Sequence, residues 1–228
     1  MRDGYHESPF NQISPVVWLV LLPMLAMEIV LNAGNLGLAG GPEGAGWRIA
    51  AIERFALSPK MLGYMAGSGD WRPDYLMRFV TYGFVHYSLT HALMAGVFVL
   101  ALGKMVADVF RPWAFLVIFF GSELGGALVY SLIPGVEAPL LGAYPPAYGL
   151  IGAFTFVLWA RLGALNANRA GAFTMIGGLM AIQLVFAVLF GGNPVWFADV
   201  GGFATGFGLS FLVAPGGPAR MLALLRRR

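Results

Sequence analysis

The chain has 228 residues, 58% of them hydrophobic and only 11% charged, with a mean hydropathy of +0.74. Soluble domains carry about 25% charged residues, so this composition excludes a water-soluble fold and predicts an all-α polytopic membrane protein with one membrane domain. The absence of cysteine rules out disulfides, thiolate nucleophiles and Cys-ligated metals, and no metal site or cofactor is expected. The formal net charge of +3 comes mostly from loop and tail arginines with no basic, aromatic-interleaved face, which points to membrane orientation and away from a nucleic-acid partner.

Residues 1–14, MRDGYHESPFNQIS, are polar and mixed in charge and predict a short cytoplasmic segment. The membrane domain is expected over residues 15–213. Its first span is the apolar run from Pro15 to about Leu36, too long in its apolar core and too weakly basic at its start for a cleaved signal peptide. Glu28 lies inside this span. Residues 37–78 form a long outer loop rich in Gly and Pro. Within it, WRIAAIERFALSPKMLGYMAG repeats apolar residues at helical spacing and predicts one or two short amphipathic helices at the membrane interface.

Five further spans are expected: Phe84 to Val109, Trp113 to Leu132, Pro146 to Leu162, Ala172 to Phe190, and Val195 to Val213. Pro112, Pro146 and Pro194 are predicted helix starts, because a first-turn residue needs no N–H partner. Trp18, Trp113 and Trp196 read as interface anchors. Residues 214–228, ending ARMLALLRRR, form a basic cytoplasmic tail that suits anionic lipid as well as orientation signalling.

Six spans put both termini on one side. That side holds Arg2, Lys104, Arg111, Arg161, Arg169, Arg220 and Arg226 to Arg228. The other holds Arg48, Arg54, Lys60, Arg72 and Arg78, all in the one long loop, and no Lys or Arg in the short loops near Glu137 and Asn193. The bias predicts cytoplasmic termini, with the bacterial inner membrane favoured.

Three separated blocks carry a resemblance. Gly142 to Ala153 reads GAYPPAYGLIGA, the stretch from Arg78 reads RFVTYGFVHYSLTHALMAGVFVLALG, and the last span contains FADVGGFATGFGL. Over residues 78–212 the chain resembles rhomboid intramembrane serine proteases, which implies a six-transmembrane-helix rhomboid-like bundle. Arg78, Thr81, Phe84, His86, His91, Gly103, Gly201, Gly202 and Gly206 align with the family pattern. The departures concern the chemistry. Tyr144 stands where the resemblance places the nucleophilic serine, Pro145 replaces the glycine of the oxyanion site, and Ala95 replaces the asparagine that supports it. Asp199 stands at the catalytic histidine, and Met77 at a tryptophan. No catalytic residue is therefore expected, with His91 the one retained match near the oxyanion.

The same conclusion follows without alignment. The only histidines are His6, His86 and His91, so no histidine base lies on a late helix, and no serine lies between Ser131 and Ser210. A tyrosine with an unperturbed pKa of about 10 is a poor substitute nucleophile.

Polar residues within apolar spans supply the binding candidates: Glu28, His91, Glu123, Tyr144 and Asp199. Each has a bland reading beside the functional one. His91 is expected to bond to a neighbouring helix through Tyr144 or Asp199, with His86 closing a loop nearer the water. Glu123 and Asp199 read as neutral acids hydrogen-bonded inside the bundle, against a proton or client-binding site. Glu28 is equally suited to a partner's polar group, and Gln183 to an interhelical hydrogen bond. Gly121 and Gly125, and Gly202 and Gly206, are one-turn pairs expected to bring helices close. Besides the lipid bilayer, the expected partner is a transmembrane segment of another membrane protein, bound by an inactive rhomboid-like escort. The alternatives are a fixed subunit of a larger membrane complex and, last, a hydrolase of different chemistry built on Tyr144, Asp199, Glu123 or His91.

Overall fold

The computed structural model describes residues 12–190 and 194–215, and most of the N-terminal segment, Asn193 and most of the basic tail lie outside them. The regular secondary structure of the described residues is helical apart from one isolated antiparallel bridge between Leu57 and Leu140. The helices are α1 (Pro15–Asn35), α2 (Trp47–Phe55), α3 (Met61–Ser68), α4 (Pro73–Leu76), α5 (Arg78–Thr81), α6 (Leu89–Ala107), α7 (Pro112–Ser131), α8 (Tyr144–Ala164), α9 (Thr174–Phe190) and α10 (Trp196–Val213).

Among the described residues, α1, α6, α7, α8 and α10 are long and apolar enough to cross a membrane, making five candidate spans where the sequence predicts six. The remaining helix, α9, has 17 residues, a rise of about 26 Å against a hydrocarbon core of about 30 Å. It starts at Thr174 and not at Ala172, because Arg169–Phe173 winds as a tighter 3-10 turn.

Local chemistry fixes most boundaries. Pro15 and Pro112 open α1 and α7 as expected of first-turn prolines. The second span begins at Leu89, five residues later than its apolar run suggests. Tyr82–Phe84 forms a 3-10 turn, and the Ser88 side chain then accepts from the His91 backbone N–H at 3.2 Å, capping α6. In α8 the start moves the other way, from Pro146 to Tyr144, with both prolines in the first turn. The last helix opens at Trp196, beyond Pro194.

The centre of the bundle is α8, packed against α7 and α10 at backbone distance. A Cβ on Gly202 would strike the Pro145 carbonyl oxygen, and one on Gly206 the Gly149 carbonyl oxygen, so neither position admits a side chain. On the facing side of α10, Leu209 and Thr205 sit over Gly121 and Gly125 of α7. The outer loop is tied onto this frame. Leu57 and Leu140 exchange backbone hydrogen bonds of 3.0 and 2.8 Å, Arg78 Nη1 donates to the Ala56 carbonyl, and Leu57, Met65, Tyr82, Tyr130 and Leu140 form a buried cluster beneath it.

Candidate functional site

The site is built where the segment before α8 meets the start of α6. Gly142, at φ +94, takes a left-handed turn that a side chain disfavours, and its N–H donates to the Tyr82 carbonyl at 2.9 Å. The next N–H, that of Ala143, donates to His86 Nε2 at 3.3 Å. An acceptor Nε2 places the proton of a neutral imidazole on Nδ1. His86 closes this loop as expected, but it is completely buried, a correction to the expectation that it lies nearer the water. Burial, aided by the neighbouring His91, pulls its pKa down to about 4 and keeps it neutral.

His91 sits in the first turn of α6, not deep in the span, and its ring is the middle of an aromatic stack. The Tyr144 ring lies on it at 5.1 Å between centroids and 17° between planes, Tyr87 approaches at 5.8 Å and 31°, and His86 meets it edge-on at 5.3 Å. Its Nδ1 accepts from the Tyr87 backbone N–H at 3.4 Å. The partner of His91 is thus the face of Tyr144, not the carboxylate of Asp199. Tyr144, first residue of α8, also leans on Phe98 at 6.3 Å. Ala95, one turn along α6 from His91, is fully buried. Pro145 behind Tyr144 has no N–H to present.

The two late carboxyls are separate from this stack. Glu123 is fully buried in α7, where Oε1 accepts from the Gly83 N–H at 3.1 Å while Oε2 has no partner among the described residues. The Tyr82 hydroxyl donates to the Glu123 backbone carbonyl at 2.7 Å, so the acid stitches the 3-10 turn to α7. Asp199, in the first turn of α10, is 3% exposed and accepts at Oδ2 from Gln183 Nε2 at 3.0 Å, which ties α10 to α9. Its Oδ1 is likewise unpartnered among the described residues.

Glu28 is not held open for a partner. Arg48 Nη1 and Nη2 reach its two carboxylate oxygens at 2.9 Å each, and Asn32 Nδ2 donates to Oε2 at 2.8 Å. Arg48 Nη1 also donates to the His86 carbonyl at 2.8 Å, so this one guanidinium joins α1, the outer loop and the site. Sequence reasoning used Arg48 only for orientation. A lone acid in a span together with an arginine in the loop that follows it was the available signal.

In chemical terms, the described site has imidazoles and phenols held by stacking and backbone contacts. No histidine nitrogen among the described residues bonds to a hydroxyl, and no group of three or more His, Asp or Glu there is arranged to hold a metal.

Comparison with known proteins places these elements in one frame. The family model for the Rhomboid domain matches residues 73–216. Rhomboid-like protease 3 of Toxoplasma gondii is 28% identical over 137 residues, which cover 59% of this chain and 50% of that protein. The chain thus spans about half the length of this curated relative.

Proposed function

The chain belongs to the rhomboid family, and from that premise we propose that it is a pseudoprotease that binds transmembrane segments of other membrane proteins without cutting them. The observation that carries this reading is the stack of Tyr144 on His91. The residue at the position of the family's nucleophile presents a ring face, not a hydroxyl, to the retained histidine. A hydroxyl without a base bonded to it is not activated. Asp199, at the position of the family's base, is bonded to Gln183. Pro145 and Ala95 remove a backbone donor and a side-chain donor from the oxyanion region.

What remains is a rigid frame of α7, α8 and α10 with polar groups inside it, able to pair with a segment that carries helix-breaking or polar residues. In this reading α9 is the sixth span and both termini are cytoplasmic. The fixed-subunit alternative keeps the exposed apolar sides of the bundle as its local support but not Glu28, which is occupied within the chain. The test is extraction in mild detergent after photo-crosslinking from a probe at Val200, exposed on α10. Crosslinks to the transmembrane segments of several membrane proteins are expected. A single stoichiometric partner that co-purifies without crosslinking would favour the fixed subunit instead.

A further inference from the structure

Among the described residues, four cations share one end of the bundle. Lys104 lies in the last turn of α6, Arg111 precedes α7, Arg161 lies in the last turn of α8, and Arg169 opens the 3-10 turn before α9. The only described carboxylate at this end is Asp108, and Lys104 takes it at 3.2 Å. Arg111, Arg161 and Arg169 are exposed and have no ion pair among the described residues.

One of these three is held in place. The Arg169 guanidinium lies over the Trp159 ring, 4.5 Å from its centroid, and rests against Gly163, where an added Cβ would strike it. Thus α8 offers an aromatic face and, one turn on, bare backbone, and the flat cation sits against both. Its N–H groups have no hydrogen-bond partner among the described residues. Trp159, five residues from the end of a candidate span, stands at headgroup depth. Phe156 and Phe207, partly exposed at 6.5 and 6.3 Å from Trp159, continue an apolar surface from it toward the middle of the bundle.

Charge decides the occupant. A zwitterionic headgroup brings its own ammonium to an end that already carries three unpaired cations, whereas an anionic phospholipid brings only the phosphate charge they lack. A guanidinium also matches phosphate oxygens through two parallel N–H groups. We propose that Arg169, seated on Trp159 and Gly163, binds the phosphate of one anionic phospholipid whose acyl chains lie along Phe156 and Phe207. The site stands whether or not the chain cuts other proteins.

The test reconstitutes the full chain in liposomes of phosphatidylglycerol and phosphatidylcholine in equal amounts, extracts it in mild detergent and counts the retained lipid by native mass spectrometry. Phosphatidylglycerol is expected to be retained over phosphatidylcholine by about fivefold, from the attraction of one basic residue for anionic lipid. Arg169→Gln should remove this preference, and Arg161→Gln, which removes an equal charge from the same end, should keep it. Gly163→Ala is the sharper variant, because it preserves every charge and favours the helix while displacing the guanidinium from its seat. Loss of the preference in that variant, with no fall in melting temperature, is expected. A preference kept by Gly163→Ala, or lost equally in Arg161→Gln, would mean a diffuse basic surface and would overturn the proposal. So would release of the phosphatidylglycerol by free inorganic phosphate.

Discussion

Arg48 shows how one side chain in a loop decides the state of a carboxylate in the membrane. Glu28 is 4% exposed, and without a cation its charge is left in a low-dielectric setting. Arg48→Met should therefore destabilise the detergent-solubilised protein by about 3–5 kcal/mol, the range for stripping one partner from a buried pair. Adding Glu28→Gln should recover much of that loss, because the orphaned charge is then gone. Thermal denaturation of the two variants checks this, and equal instability in both would contradict it.

His86 gives the pH counterpart. Its ordinary value of 6.5 falls to about 4 in the folded protein, so between those values the unfolded chain binds the extra proton. The stability it contributes is complete above about pH 6.5 and is lost as the pH falls toward about 4, by roughly 3 kcal/mol at most. A melting series from pH 7.5 to 4.5 should show this fall. His86→Gln, which keeps an acceptor for the Ala143 N–H, should flatten the curve; an unchanged slope would mean that other groups carry it.

Among the elements, α10 offers an internal control for close packing. Gly206 lies on the backbone of Gly149, whereas a Cβ added at Gly208, half a turn on, would meet nothing within 4 Å. Gly206→Leu should cost more than the about 1–3 kcal/mol of ordinary overpacking, because a backbone and not a side chain must move. Gly208→Leu should fall within about 0.5 kcal/mol of the unmodified protein. Equal melting temperatures for the two variants would contradict the α8–α10 geometry.

The elements also show what patterning records. The ends of α1, α7 and α10 were legible within a residue or two, since long apolar runs meet prolines or polar loops there. The start of α6 was not. Tyr82 and Val85 are buried and Phe84 packs half-buried on the core, and hydropathy does not distinguish a packed 3-10 turn from a helix. Ser88, three residues before His91, was the capping signal that marks the true start.

For the whole molecule, the frame was legible and the wiring was not. The three separated blocks announced the rhomboid family, two of them because close helix contacts demand small residues at fixed spacing. Which polar side chains find each other depends on loops folding back over the bundle. That is why the bond from Ala143 to His86 was out of reach, while the bond from Arg48 to Glu28 left only the signal of a lone acid in a span followed by a loop arginine. Orientation is open to direct test in a chain without cysteine. With cytoplasmic termini, an impermeant thiol reagent on intact cells should label Glu137→Cys and spare Arg228→Cys. The reverse pattern would invert the topology.

The central claim is that a rhomboid frame here performs no proteolysis. Reconstitute the unmodified protein in proteoliposomes with a transmembrane rhomboid substrate, beside Tyr144→Ser, Asp199→His and the double variant. No cleavage is expected from the unmodified protein or either single variant, since a nucleophile and its base act as a unit, and at most a trace from the double variant, which retains Pro145. Robust cleavage by the unmodified protein, abolished by Tyr144→Phe or His91→Ala, would contradict the account.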